Sequence, residues 1–153
     1  EDQVIDALFV AGAIGMIITR NATVSGAEGG CQAETGSAAA MAAAGIVSIL
    51  GGTPRQSLDA AATALKNVMG LVCDPIAGLV ESPCQKRNAL GTANALISAE
   101  MTLAGIPSII PFDEVVDAMY KVGKRMPMEL RETALGGIAN TPTGCAICSR
   151  IYQ

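Results

Sequence analysis

TPRQSLDAAATALKNVMGLV, residues 53 to 72, carries both a helix start and a helix face, and the rest of the fold can be read outward from it. Leu58, Ala61, Ala62, Leu65, Val68, Met69 and Val72 fall at i, i+3, i+4, i+7, i+10, i+11 and i+14, which lays one apolar stripe along a helix. Thr53 as N-cap, Pro54 at the first helical position and Gln56 at the third write a capping box. Further helices are predicted at about 2–18, 32–50, 83–104, 112–124 and 128–135, stopped at Gly51-Gly52, Gly105 and Gly136-Gly137. No stretch pairs strand-like alternation with hairpin turn residues. Gly36-Ser37-Ala38-Ala39-Ala40 and Ala42-Ala43-Ala44-Gly45 hold so little side chain that neighbouring helix axes can come close. The expected class is all-α: a compact helical bundle with a central, buried Ala/Gly-rich helix.

With 153 residues, half of them apolar and 16% charged, the chain has the size of one domain with a real core. A net charge of −4, two Phe, two Tyr and no Trp exclude the basic stripe and aromatic platforms of a nucleic-acid binder. A spanning helix needs about 20 apolar residues, whereas Val4–Ile18 is a shorter run interrupted by Asp6, so a buried helix is expected and no membrane role. No charged n-region with a small-residue cleavage site precedes it. The chain opens on Glu1 without an initiator Met, so residues 1–153 are expected to form a single all-helical domain of a longer chain, with 138–153 as a tail. Five cysteines, at 31, 73, 84, 145 and 148, are an odd count that argues for free thiols and a reducing, cytoplasmic compartment.

Three of these cysteines are predicted at helix starts. In EGGCQAETG, residues 28–36, the double glycine ends whatever precedes Cys31, so that Cys31 opens the Ala-rich helix. In Cys73-Asp74-Pro75, Asp74 reads as an N-cap and Pro75 as a first position. In Ser82-Pro83-Cys84-Gln85, Ser82 is the cap, Gln85 closes the box and Cys84 is the second helical residue. Positive helix ends favour thiolates, and thiolates ligate metal. The spacing C-x41-C-x10-C is neither a zinc knuckle nor a ferredoxin run, and small buried cysteines at crowded helix ends account for it as well. Lys86-Arg87 in the first turns of the 83–104 helix oppose its dipole by about 0.3–1 kcal/mol each, which something anionic nearby would offset.

Asn21, Ser25-Gly26-Ala27-Glu28, Gly30-Cys31-Gln32-Ala33-Glu34, Gly36-Ser37 and Ala42-Ala43-Ala44 together resemble the cluster-binding segment of the iron–sulfur-dependent L-serine dehydratases, α subunit or α domain. Cys73-Asp74-Pro75 with Gly78-Leu79-Val80, then Pro83-Cys84 and Arg87-Asn88, is similar to the family's second signature, and Thr141-Pro142-Thr143-Gly144 to its closing loop. The resemblance implies that Cys31, Cys73 and Cys84 hold a [4Fe–4S] cluster with one iron left open. That iron would act as a Lewis acid on the hydroxyl and carboxylate of L-serine, giving pyruvate and ammonia in amino-acid degradation that feeds gluconeogenesis. Glu28, Glu34 and Lys86 are then candidate catalytic residues. Arg87 and Asn88 are candidates for the substrate carboxylate, with Asn21, Ser25 and Thr143 as further polar positions in matching motifs. Gly29 and Gly30 are expected to clear the approach of cluster and substrate to Cys31.

The resemblance further implies a β subunit or β domain carrying a histidine motif that this histidine-free chain lacks, and an oligomer. Cys145-Ala146-Ile147-Cys148 departs from it; either cysteine is a candidate cap for the open iron. Rival expectations are a related L-cysteine desulfidase, a non-catalytic iron–sulfur sensor, and an all-helical interaction subunit without a cluster.

Overall fold

The computed structural model describes residues 1–153, and it is all-α: seven α-helices, three short 3₁₀ turns and no strand. In chain order the helices are α1 (Asp2–Asn21), α2 (Gly26–Gly29), α3 (Cys31–Ile49), α4 (Pro54–Asn67), α5 (Cys84–Leu103), α6 (Phe112–Arg125) and α7 (Pro142–Ile151). The central helix is the expected one. α3 packs against α1, α4, α5 and α6, and it buries twelve of its nineteen residues on nearly every side. Its small residues make this possible: a Cβ on Gly36 would stand 2.9 Å from Val68 Cγ2, so α4 lies closer to α3 than any larger residue there would allow.

α4 begins as its sequence dictates, with Thr53 accepting from the Gln56 backbone N–H and the Gln56 side chain accepting from that of Thr53. The helix ends at Asn67 rather than Val72, because Gly70 turns left-handed (φ 87°) and residues 68–72 serve the start of α3 instead. The Gly70 N–H donates to Gln32 Oε1 at 2.8 Å, and the Gln32 N–H donates to the Leu71 carbonyl at 2.9 Å. Gln32 is wholly buried, and its Nε2 donates to the Met119 carbonyl at 3.0 Å, so one polar side chain ties α3 to α6 and to this turn with its hydrogen bonds satisfied.

α1 runs the full 20 residues to Asn21 and is, by length and composition alone, apolar enough to cross a membrane. Ala7, Ile14 and Ile18 form its buried stripe against α3, while Val4, Leu8, Phe9 and Met16 are exposed. Two further elements differ from expectation. Over 128–135 only Met128–Leu130 forms a 3₁₀ turn, because Arg131 is drawn into a parallel bridge with Cys73 and both Glu132 and Ala134 take left-handed backbone (φ 66° and 57°). The expected tail is α7, capped by Thr141, whose hydroxyl accepts from the Gly144 N–H, with Pro142 at the first position.

Candidate metal centre

Gly30 joins α2 to α3 with φ 76° and ψ 177°, so Cys31 is the first residue of α3. A Cβ on Gly30 would fall 2.7 Å from the Leu71 carbonyl oxygen, and a Cβ on Gly123 of α6 would fall 2.8 Å from the Gly29 Cα. The double glycine therefore makes the turn and the close contact with α6, and does not clear a path to the sulfur as expected. The glycine that faces sulfur is Gly26. Around the place its Cβ would take, Glu34 Oε2, Cys73 Sγ and Glu132 Oε2 converge at 3.0, 3.1 and 3.3 Å.

Cys73 reaches that point because backbone bonds pin it. Its N–H donates to the Leu130 carbonyl at 2.8 Å, and its carbonyl accepts from the Glu132 N–H at 2.7 Å. The same pair of bonds delivers Glu132 to the site. Sequence reasoning placed Glu132 inside a helix and missed it, since nothing local announces a bridge to a cysteine 59 positions earlier. The Cys31 and Cys73 sulfurs and a Glu34 carboxylate oxygen all lie within 4.8 Å of one another.

Asp74 is not an N-cap. Its carboxylate is buried and accepts from Arg87 Nη1 (2.7 Å to Oδ1) and from the Ile138 N–H (2.8 Å to Oδ2), leaving only a 3₁₀ turn at Ile76–Gly78. Ser82 is not a cap either: the helix starts after Pro83, and the Ser82 carbonyl accepts from the Ile76 N–H at 3.0 Å to close the loop. Pro83, after a cis peptide bond, takes the cap position and Cys84 becomes the first residue of α5. Arg87 is held in place by Asp74 and the Val72 carbonyl (2.7 Å), with Nη1 3.7 Å from Cys31 Sγ.

The three thiols do not share one electrostatic fate. Cys31 is lowered to about 7, chiefly by a hydrogen bond from Cys73, against burial and with help from Arg87. Cys73 is pushed strongly up, first because it donates that bond and then by burial. Cys84 is also raised, first by burial and then by the charge of Cys31, which outweighs its place at a helix start. Helix ends are expected to lower all three; only Cys31 is lowered, and by Cys73 and Arg87 rather than by its helix end. Arg87 stays firmly protonated: burial opposes its charge, and the bonds to Asp74 and Cys31 overcome that.

A family model describing the serine dehydratase alpha chain matches residues 1–139. The chain belongs to the serine dehydratase alpha chain family. It is 61% identical over 151 residues to the probable L-serine dehydratase alpha chain of Bacillus subtilis, covering 99% of this chain and 50% of that one. It is 56% identical over 151 residues to the corresponding protein of Latilactobacillus sakei (99% of this chain, 72% of that one). It is 62% identical over 131 residues to the L-serine dehydratase alpha chain of Peptoniphilus asaccharolyticus (86% and 45%). The chain thus spans about half the length of two of these three relatives.

The remaining predicted site residues scatter around the thiol pair. Cys84 lies close enough for the charges of Cys31 and Glu34 to act on it, although its sulfur stands outside the 4.8 Å group. Glu28 on α2 and Lys86 on α5 are exposed and make no ion pair. Asn88 accepts from the Thr35 hydroxyl at 3.5 Å across the α3–α5 contact. The Asn21 side chain donates to the Ile17 carbonyl at the end of α1, and Ser25 is the N-cap residue of α2. Thr143, Cys145 and Cys148 ride on α7, which packs on the 3₁₀ turn between Cys73 and Cys84 and is pinned there by Tyr152 Oη donating to the Ala77 carbonyl at 2.8 Å. Neither Cys145 nor Cys148 joins the thiol group.

The donor set fits a soft metal centre. Two sulfurs and a carboxylate oxygen already meet, and thiolates are ligands that soft metals take.

Proposed function

We propose that this chain forms the cluster-binding part of an enzyme that deaminates L-serine to pyruvate and ammonia, working with a β chain or β domain that completes the site. Cys31, Cys73 and Cys84 would hold a [4Fe–4S] cluster. When bound, such a cluster supplies an iron with a free coordination position, a Lewis acid for the substrate hydroxyl and carboxylate. The observation that carries this reading is the meeting of Cys31 and Cys73 sulfurs beside Glu34 at the mouth of α3, in a chain whose named relatives are L-serine dehydratases.

The chain's own residues then have definite tasks. Arg87, fixed by Asp74 and Val72, keeps a positive charge beside Cys31 and so favours its thiolate. The backbone bonds of Cys73 to residues 130–132 hold its sulfur against Cys31. Glu34 and Glu132 place carboxylates at the same spot, where they can accept a proton or a cation. With no histidine present, the α-proton is taken either by one of these carboxylates or by a group on the partner chain.

Anaerobic reconstitution of the complete α chain with its β chain tests the reading. About four irons and four sulfides per α chain, with pyruvate released from L-serine in preference to L-cysteine, are the expected result. Replacing Cys31, Cys73 or Cys84 by Ser is expected to abolish both. Pyruvate formation by a preparation free of iron and sulfide would end the proposal.

A further inference from the structure

α7 carries a second pair of thiols, Cys145 and Cys148, apart from the group formed by Cys31, Cys73 and Glu34. Both are free; Cys145 is exposed and Cys148 half-buried. Cys145 Sγ has only long contacts, 3.9 Å to the Ala139 carbonyl and 3.9 Å to Asn140 Oδ1. Three positions apart on a helix, the two share a face. The rise and radius of an α-helix set their Cα atoms about 5 Å apart, inside the span that a disulfide bridges. Their Cβ atoms, about 5–6 Å apart, have to close to about 4 Å. A disulfide is therefore within reach, and forming it costs this turn its regular shape.

The shape of that turn matters to a distant loop. Gly144 is the one buried residue of α7, so the helix is fastened mainly at its two ends. At its start Gly144 packs onto the Ile138 and Ala139 carbonyls, where a Cβ would fall 2.6 Å from each oxygen. Past its end the Tyr152 N–H donates to the Cys148 carbonyl at 3.2 Å, and Tyr152 Oη donates to the Ala77 carbonyl at 2.8 Å. Ala77 is left-handed (φ 56°), a conformation that costs an alanine energy and persists where neighbours hold it. Cys148 thus stands one turn before the residue that clamps the Ile76–Gly78 turn, which lies between Cys73 and Cys84 in sequence.

We propose that Cys145 and Cys148 are a reversible dithiol–disulfide pair, oxidised by low-molecular-weight disulfides, whose closure draws in the 145–148 turn and withdraws Tyr152 from Ala77. The exposed Cys145, as its thiolate, attacks one sulfur of the incoming disulfide; the other sulfur leaves as a thiolate, and a mixed disulfide stands on Cys145. The Cys148 thiolate then attacks Cys145 Sγ, the Cys145–Cys148 bond forms, and the second half of the reagent leaves as a thiolate. The two protein thiols give up two electrons, the reagent disulfide takes them, and the two thiol protons end on the released thiolates. Cys31 and Cys73, each 3% exposed, are shielded from so bulky a reagent. The pair is independent of the serine-deaminating reading.

The test exposes the full chain, reduced and metal-free, to oxidised glutathione without air. It reads peptide masses and hydrogen exchange at the Ile76, Gly78 and Leu79 amides, which donate to the Ser82, Pro75 and Ile76 carbonyls. The wild-type chain is expected to form an internal Cys145–Cys148 disulfide and to exchange those amides about fivefold faster or more, both changes being reversed by dithiothreitol. Cys148→Ser is expected to stop at the mixed disulfide on Cys145 with exchange unchanged. Tyr152→Phe, kept reduced, is expected to show the faster exchange with no oxidant added. A wild-type chain that stays at the mixed disulfide, or that links either cysteine to Cys31, Cys73 or Cys84, overturns the proposal. So does a Cys145–Cys148 disulfide that leaves exchange at these amides unchanged.

Discussion

Cys31 and Asp74 show how a single side chain in this site depends on a neighbour far away in sequence. The Cys31 thiol falls from 9.0 to about 7 because Cys73 donates to it and Arg87 stands by. A folded-state pKa below the unfolded one stabilises the fold fully above about pH 9, and that contribution fades as pH drops through about 7. Cys73, shifted the other way, contributes below its unfolded value and loses that contribution as pH rises through its folded one. Between these limits the pair holds one proton. In the metal-free, reduced chain, ultraviolet thiolate absorbance is therefore expected to show one titration near pH 7, and Arg87→Met to move it upward; a first thiolate appearing only at ordinary thiol pH would contradict this. Asp74, with its side chain 3% exposed, anchors Arg87 and the Ile138 N–H together. Asp74→Asn leaves a buried guanidinium unanswered and is expected to cost about 3–5 kcal/mol in urea unfolding.

Helix ends are where the chain's local signals and its long-range contacts either agree or collide. At Thr53 they agree, and the capping box forms as written. Thr53→Ala is expected to destabilise the chain by about 1 kcal/mol, read as a lower thermal midpoint with the helical spectrum retained below it. At Asp74 an equally good cap residue is taken by distant partners, Arg87 and Ile138, while at Ser82 the helix simply starts one residue later, after Pro83. A cap hydrogen bond contributes about 1 kcal/mol, whereas a buried carboxylate needs its charge answered, so the larger demand wins. The 128–135 segment yields for a similar reason: its backbone satisfies Cys73 before it satisfies itself.

Taken as a body, the protein is a bundle whose core is mostly alanine, packed close around α3, with few large side chains to fill it. Leu65, wholly buried between α3 and α4, is one of them. Leu65→Ala is expected to cost about 2–5 kcal/mol by chemical denaturation, since neighbours of alanine size cannot reach into the space left behind. The exposed apolar face of α1 contributes little to this core, and stability is expected to depend far more on α3 and α4 than on Leu8 or Phe9.

The all-α class, the central small-residue helix and the α4 start were legible from local pattern, because helix periodicity, caps and side-chain volume act over a turn or two. So were Cys31 and Cys84 as first-turn residues, within one position. Tertiary structure alone decided that Cys73 sits in a bridge, that Gly26 rather than Gly29 or Gly30 faces the sulfurs, that Arg87 is bound to Asp74, and that Glu132 reaches the site. Each of those depends on residues 13 to 106 positions apart meeting through the packing of whole helices, and no local pattern encodes which of many compatible partners a buried charge or backbone group will find.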